Sequence, residues 1–190
     1  PSSTPKPSSA ASDVYKRQLV DIAEELGISA PEAVRHILTA PEGKSTICIQ
    51  HTMDEGDVVS NLRHDRVMIG SDGIPDLAGK PHPRLFGTFP RVLGRYVREQ
   101  GVLELERAVR RMTSLSCDVH GLQGRGRITE GNWADLVLFD PNLILDIATY
   151  EDPKRESAGI QSVWVNGQMA FTEGLHTQVG AGKVLSYRQH

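Results

Sequence analysis

The chain has 190 residues, 38% of them hydrophobic, and a formal net charge of −3, enough for one domain with a real core. Its 21 Lys and Arg and 24 Asp and Glu are spread along the sequence, which makes no electrostatic case for a nucleic-acid partner or an anionic membrane surface. No apolar run approaches the roughly 20 residues of a membrane span, no secretory signal pattern is seen, and the two cysteines, Cys48 and Cys117, stand far apart in no CxxC pattern, as expected of two buried thiols in a reducing, cytoplasmic setting.

Residues 1–18 are rich in Pro and Ser and have no apolar periodicity, so they are read as a non-native or disordered tail. Leu19, Ile22, Ala23 and Leu26 then share one helical face, and Gly27 supplies a stop. Ser29-Ala30-Pro31-Glu32 is a capping box with proline in the first turn. It predicts a second helix carrying Ala33, Val34, Ile37 and Leu38. Residues 46–50 read as a short buried strand. Thr52-Met53-Asp54-Glu55 is a further capping box, opening a helix to about Arg63, and 67–70 reads as the next strand. A strand–helix–strand series of this kind favours parallel strands with helical crossovers. A long polar loop with Pro75, Gly79, Pro81 and Pro83 follows. Helices are predicted over 89–100 and 103–112, with a short one after the break at Thr113-Ser114-Leu115-Ser116.

From about Gly126 the character changes. Ile128, the Glu130-Gly131 turn and the run 134–139 read as one β-hairpin, ending at Asp140-Pro141. Residues 160–165, Asn166-Gly167 and 168–171 read as a second, because Asn-Gly suits the positive φ of a type I′ turn at both positions. The expected organisation is therefore an α/β segment over 19–125 and a small β-rich domain over 126–190.

Asp72, in Ile69-Gly70-Ser71-Asp72-Gly73, is the first candidate for chemistry. A carboxylate just past the carboxyl end of a barrel strand sits at the catalytic face, where it is suited to take a proton from a metal-bound water and return it to a leaving amine. The competing reading is a simple turn, since Ser, Asp and Gly all favour turns. The histidines are His36, His51, His64, His82, His120, His176 and His190, and no two have HxH or HExxH spacing. His82, in His82-Pro83-Arg84 of the long loop, is the best placed of them, with His51 after a strand a weaker candidate. Arg84 is suited to bidentate pairing with a substrate carboxylate, the plain alternative being a solvated loop arginine. Cys48 is most simply core, and Arg107, Arg110 and Arg111 form a charged helix face. The glycines of 121–126 lack the strand-before, helix-after context of a nucleotide loop.

Ile69-Gly70-Ser71-Asp72-Gly73, His82-Pro83-Arg84, Gly87-Thr88-Phe89-Pro90-Arg91, Arg111-Met112-Thr113-Ser114 and Gly131-Asn132-Trp133-Ala134-Asp135-Leu136-Val137 occur in that order. From about Leu19 to His190 the chain resembles the carboxyl-terminal part of the D-aminoacylase (N-acyl-D-amino-acid deacylase) family of the amidohydrolase superfamily. The last motif is common to many amidohydrolases; the first three together are far more specific. The resemblance implies a zinc-dependent (β/α)₈ barrel with a small β-sandwich built from both chain ends. Residues 46–50 and 67–70 would then be barrel strands seven and eight, followed by half of the sandwich.

The activity so implied is hydrolysis of the amide of N-acyl-D-amino acids, a carbon–nitrogen bond other than a peptide bond, to a carboxylate and a D-amino acid. Asp72 matches the family's general base, acting on a zinc-bound water whose pKa falls from about 15.7 to near 7. Ser71, Gly73, His82 and Arg84 are the expected substrate-binding residues. None of the family's zinc ligands has a match here, so zinc would be held by residues amino-terminal to this chain. A whole barrel needs about 250 residues, and the chain by itself is expected to be inactive. Two alternatives stand beside this one: a hydantoinase- or dihydroorotase-like cyclic amidohydrolase, against which the second and third motifs argue, and a non-catalytic structural domain. The sequence carries no signal for oligomeric state.

Overall fold

The computed structural model describes residues 18–40, 53–75 and 79–185. The chain divides into two compact units, Pro1–Thr52 and Met53–His190, and the described strands all lie in the second. The strand expected over 46–50, with Cys48 and His51, lies outside the described residues, as does the tail 1–17.

The first unit contains α1 (Leu19–Leu26) and α2 (Ala30–Thr39). Gly27 adopts φ 65°, the left-handed conformation that closes a helix. Its N–H reaches the Glu24 carbonyl at 3.1 Å, and the Ile28 N–H reaches that of Ala23 at 3.0 Å, so the last carbonyls of α1 are satisfied. Ser29 and Glu32 form the expected box, with Ser29 N–H and Oγ donating to Glu32 Oε2 at 3.0 and 2.7 Å. These two bonds hold the Glu32 carboxyl below its ordinary pKa. Ile22, Ala23 and Ala33 form a small core with Ile28, Ala30 and Ile37 against it. Leu19, Leu26, Val34 and Leu38, expected on the buried faces, are exposed within this unit.

The second unit begins with α3 (Glu55–Arg63). Its cap is Asp54, whose Oδ1 accepts from Gly56 N–H at 2.7 Å, rather than the expected Thr52. The expected strand 67–70 is in no ladder among the described residues. Its apolar side chains serve a different purpose, because Ile69 packs on the helical core and its N–H goes to the Arg111 carbonyl at 3.3 Å. The parallel pairing expected from a strand–helix–strand series is likewise not found among the described residues, where every strand pair is antiparallel.

A helix expected from 89 begins earlier, as α4 (Arg84–Arg91), and runs on as a π-helix over Val92–Glu99. Pro90 stands inside it and cannot donate to the Phe86 carbonyl four residues back. That carbonyl accepts instead from Ser157 Oγ at 3.1 Å. Gly94 is required: a Cβ there would lie 2.6 Å from the Ile144 carbonyl oxygen, so the helix meets the chain at 144 backbone to backbone. Next come α5 (Leu105–Met112) and α6 (Ser114–Val119). Leu62, Val92, Leu93, Tyr96, Leu103, Ala108 and Ile144 form the main core.

The β-region is one antiparallel sheet in the order β1 (Leu136–Phe139), β2 (Ile160–Val165), β3 (Gln168–Thr172), β4 (Leu175–His176). The Asn166-Gly167 hairpin is as expected, with φ 50° and 80° at its two positions. The first hairpin is not. Ile128 is 92% exposed and in no strand, while β1 pairs with β2, Leu136 opposite Trp164. Asp135 ties the two together, its Oδ1 accepting from Asn166 N–H at 2.8 Å.

Candidate active site

Asp72 lies on a tight turn built by its neighbours. Ser71 Oγ accepts from Gly73 N–H at 3.2 Å, and Asp72 sits between them at φ 47°, a conformation few residues other than glycine, asparagine and aspartate tolerate. Gly73 is needed for close packing: a Cβ would stand 3.0 Å from the Leu85 Cα and 2.9 Å from its Cδ1. The turn is thereby pressed against the first residues of α4, and the Asp72 Oδ2 meets Arg84 Nη2 at 2.8 Å. The carboxylate is 82% exposed, so solvent reaches its remaining lone pairs.

His82 orders the other side of this pair. Its Nδ1 accepts from the Arg84 backbone N–H at 3.0 Å, which leaves the ring proton on Nε2, facing Tyr150 Oη at 3.0 Å. The His82 and Tyr150 rings meet edge to face, 5.1 Å between centroids at 83°. Burial of the ring lowers its pKa below 6.5, the Arg84 cation adds to this and the Asp72 anion opposes it, so His82 is a neutral hydrogen-bonding group at pH 7. Arg84 Nε is buried and has no hydrogen-bond partner among the described residues. A donor so placed costs about 1–3 kcal/mol until an acceptor reaches it.

All five expected site residues, Ser71, Asp72, Gly73, His82 and Arg84, thus fall in one cluster. Tyr150 joins them from a distant segment; no local pattern in the sequence marks it. The other described histidines fall elsewhere, and His51 and His190 lie outside the described residues. His36, His64 and His120 are exposed, and His176 Nε2 pairs with Glu156 Oε1 at 2.5 Å. Cys117 is a free, half-buried thiol with its pKa raised by burial and by Asp118. Two surface cavities lie away from the cluster. One, of about 240 Å³, is lined by Cys117, the glycine-rich segment and Asn132; the other, about 370 Å³, by β1, β2 and Lys183.

Arg111, expected on a charged surface, is 2% exposed. Its guanidinium donates to the Leu62 carbonyl and, at 3.4 Å, to that of Arg63, closing the carboxyl end of α3, where a cation also complements the helix dipole. Thr113 Oγ1 donates to the Val109 carbonyl at 2.7 Å. The Arg111-Met112-Thr113-Ser114 motif is therefore scaffold. Among the described residues no three His, Cys, Asp or Glu side chains are grouped so as to hold a metal ion, and no helix is long and apolar enough to cross a membrane.

The sequence profile of the amidohydrolase family matches residues 47–171. The chain is 46% identical over 170 residues to D-aminoacylase of Alcaligenes xylosoxydans xylosoxydans, covering 90% of this chain and 34% of that protein. A crystal structure of D-aminoacylase superposes with a TM-score of 0.80 at 44% identity, over 90% of this chain and 35% of the other. N-acyl-D-glutamate deacylase from Bordetella bronchiseptica, solved with zinc and a phosphonate mimic of the tetrahedral intermediate, superposes at 0.75 and 44% identity, over 84% and 32%. The chain thus spans about a third of the length of these relatives. With a profile match running through the Asp72 turn, the His82-Arg84 loop and the Asp135 motif, the chain belongs to the amidohydrolase family.

Proposed function

We propose that this chain is the carboxyl-terminal part of a deacylase that hydrolyses N-acyl-D-amino acids to a carboxylate and a D-amino acid. Residues 19–125 would then close a (β/α)₈ barrel, and 126–190 would supply half of a small β-sandwich. The observation that carries the reading is the 2.8 Å pairing of Asp72 with Arg84: a base candidate and an anion-binding group held side by side, in a chain 41–46% identical to proteins named as deacylases.

In this reading Asp72 takes a proton from the water that attacks the acyl carbonyl and delivers it to the departing amine. Arg84 binds the α-carboxylate of the substrate, offering the buried Nε that lacks a partner among the described residues. Ser71 and Gly73 shape the turn that presents Asp72, and His82 fixes the backbone from which Arg84 projects. Zinc is the expected cofactor by analogy with the zinc-bound relative. The described residues do not build its site, so its ligands would lie elsewhere in the protein, and the chain alone would be inactive. The setting would be cytoplasmic and the partner a small molecule rather than nucleic acid or membrane.

A substrate panel on the natural full-length protein tests this. N-acetyl-D-amino acids are expected to be hydrolysed at least about tenfold faster than their L-enantiomers, since a misplaced α-carboxylate loses the Arg84 contact. Turnover of cyclic ureides with none of N-acyl-D-amino acids would instead establish the hydantoinase-like alternative, and turnover of neither class the non-catalytic one.

A further inference from the structure

We propose that Tyr150 is a positioning residue for Arg84, and so for the substrate carboxylate that Arg84 binds in the reading above, on which this inference rests. Both imidazole nitrogens of His82 are engaged, Nδ1 by the Arg84 backbone N–H and Nε2 by Tyr150 Oη, each at 3.0 Å. The ring cannot rotate without breaking one of them. Arg84 is the first residue of α4, so the bond to its backbone sets where the helix starts and from where the guanidinium projects. The chain Tyr150–His82–Arg84–Asp72 is continuous, its last link the 2.8 Å ion pair.

The tyrosine is itself on a braced segment. Thr149 N–H donates to the Asp152 carbonyl and Asp152 N–H to Thr149 Oγ1, both at 3.1 Å, closing a tight turn around Tyr150. Just upstream, Arg91 pairs with Asp146 at 2.9 Å and Arg98 Nη1 donates to the Ile144 carbonyl at 2.5 Å. Gly87 and Gly94 let the same helix approach Asp146 and Ile144 closely. The segment is therefore fixed to the helix whose first residue it orients through His82. A tyrosine needed only for packing would be served by its ring; here the hydroxyl is in contact as well, at His82 Nε2.

The test compares Tyr150→Phe, Arg84→Lys and the double variant in the natural full-length protein, with an N-acetyl-D-amino acid as substrate. Tyr150→Phe keeps the edge-to-face ring and removes the hydroxyl's hydrogen bond to His82. It is expected to raise KM about five- to tenfold, the loss of one such bond, with kcat changed less than about twofold, as for binding shared by ground and transition states. In the double variant KM is expected to match that of Arg84→Lys alone, because both changes act on one contact. An unaltered KM in Tyr150→Phe beside a raised KM in Arg84→Lys overturns the positioning role and leaves the carboxylate reading standing, and so do additive penalties. An unaltered KM in Arg84→Lys removes the carboxylate reading and this proposal with it. Independently of any variant, ¹⁵N spectra of the imidazole are expected to show the Nε2–H tautomer of His82; a dominant Nδ1–H tautomer contradicts the linkage.

Discussion

Arg111 and Arg84 each face an aspartate, Asp65 at 3.2 Å and Asp72 at 2.8 Å, yet the two pairs are built for opposite ends. Arg111 is buried and donates to two helix-terminal carbonyls, and Asp65 is also held by Arg107. Both terminal nitrogens of Arg111 and the Oδ1 of Asp65 have partners within the protein, and the Arg107 bond keeps the Asp65 carboxyl below its usual pKa. Arg84 has one ion pair with an exposed carboxylate and one buried donor without a partner among the described residues. Satisfaction marks scaffold. An incompletely satisfied cation beside a carboxylate in a left-handed turn is what the proposed substrate site would require.

The contrast is sharpest in stability. Arg111→Ala is expected to destabilise the protein by about 3 kcal/mol, through the lost charge-assisted bonds to the α3 carbonyls and the void left behind. Arg84→Ala is expected to cost no more than about 1 kcal/mol, since an exposed pair contributes little and the substitution also removes an unsatisfied donor. Denaturant melts of the two variants check this, and equal losses would erase the distinction between the two pairs. A smaller effect is expected from pH. Burial and Arg84 depress the pKa of His82 in the folded state, so its contribution to stability is complete above the unfolded value of about 6.5 and is lost as pH falls through the lower folded value. Between pH 7 and 5 the melting temperature of the protein is therefore expected to fall more than that of His82→Gln. An identical decline would show that His82 does not stay neutral in the fold.

Local chemistry was legible where it acts alone. Gly27, the Ser29–Glu32 box and Asn166-Gly167 each fix a boundary through a backbone conformation or a cap within a few residues, and each is found as read. What was not legible depends on distant partners. Pro90 fits the first turn of a helix begun at 89, yet the helix begins at Arg84 and Ser157 supplies the donor that Phe86 has lost. The apolar run 67–70 looks like a strand until the core against which Ile69 packs is known. β1 looks paired with the segment before it, yet its partner is β2. The same holds at the site: Asp72, His82 and Arg84 stand out by residue type and neighbours, whereas Tyr150 reaches them only through tertiary structure.

The base assigned to Asp72 is the claim on which the proposed chemistry turns. Steady-state turnover of an N-acetyl-D-amino acid by Asp72→Asn in the natural full-length protein, set beside a melting curve, tests it most directly. The account predicts a fall of about 10²- to 10⁴-fold, the usual contribution of a general base, with the melting temperature nearly unchanged because the carboxylate is exposed. Turnover equal to that of the unsubstituted protein would contradict it.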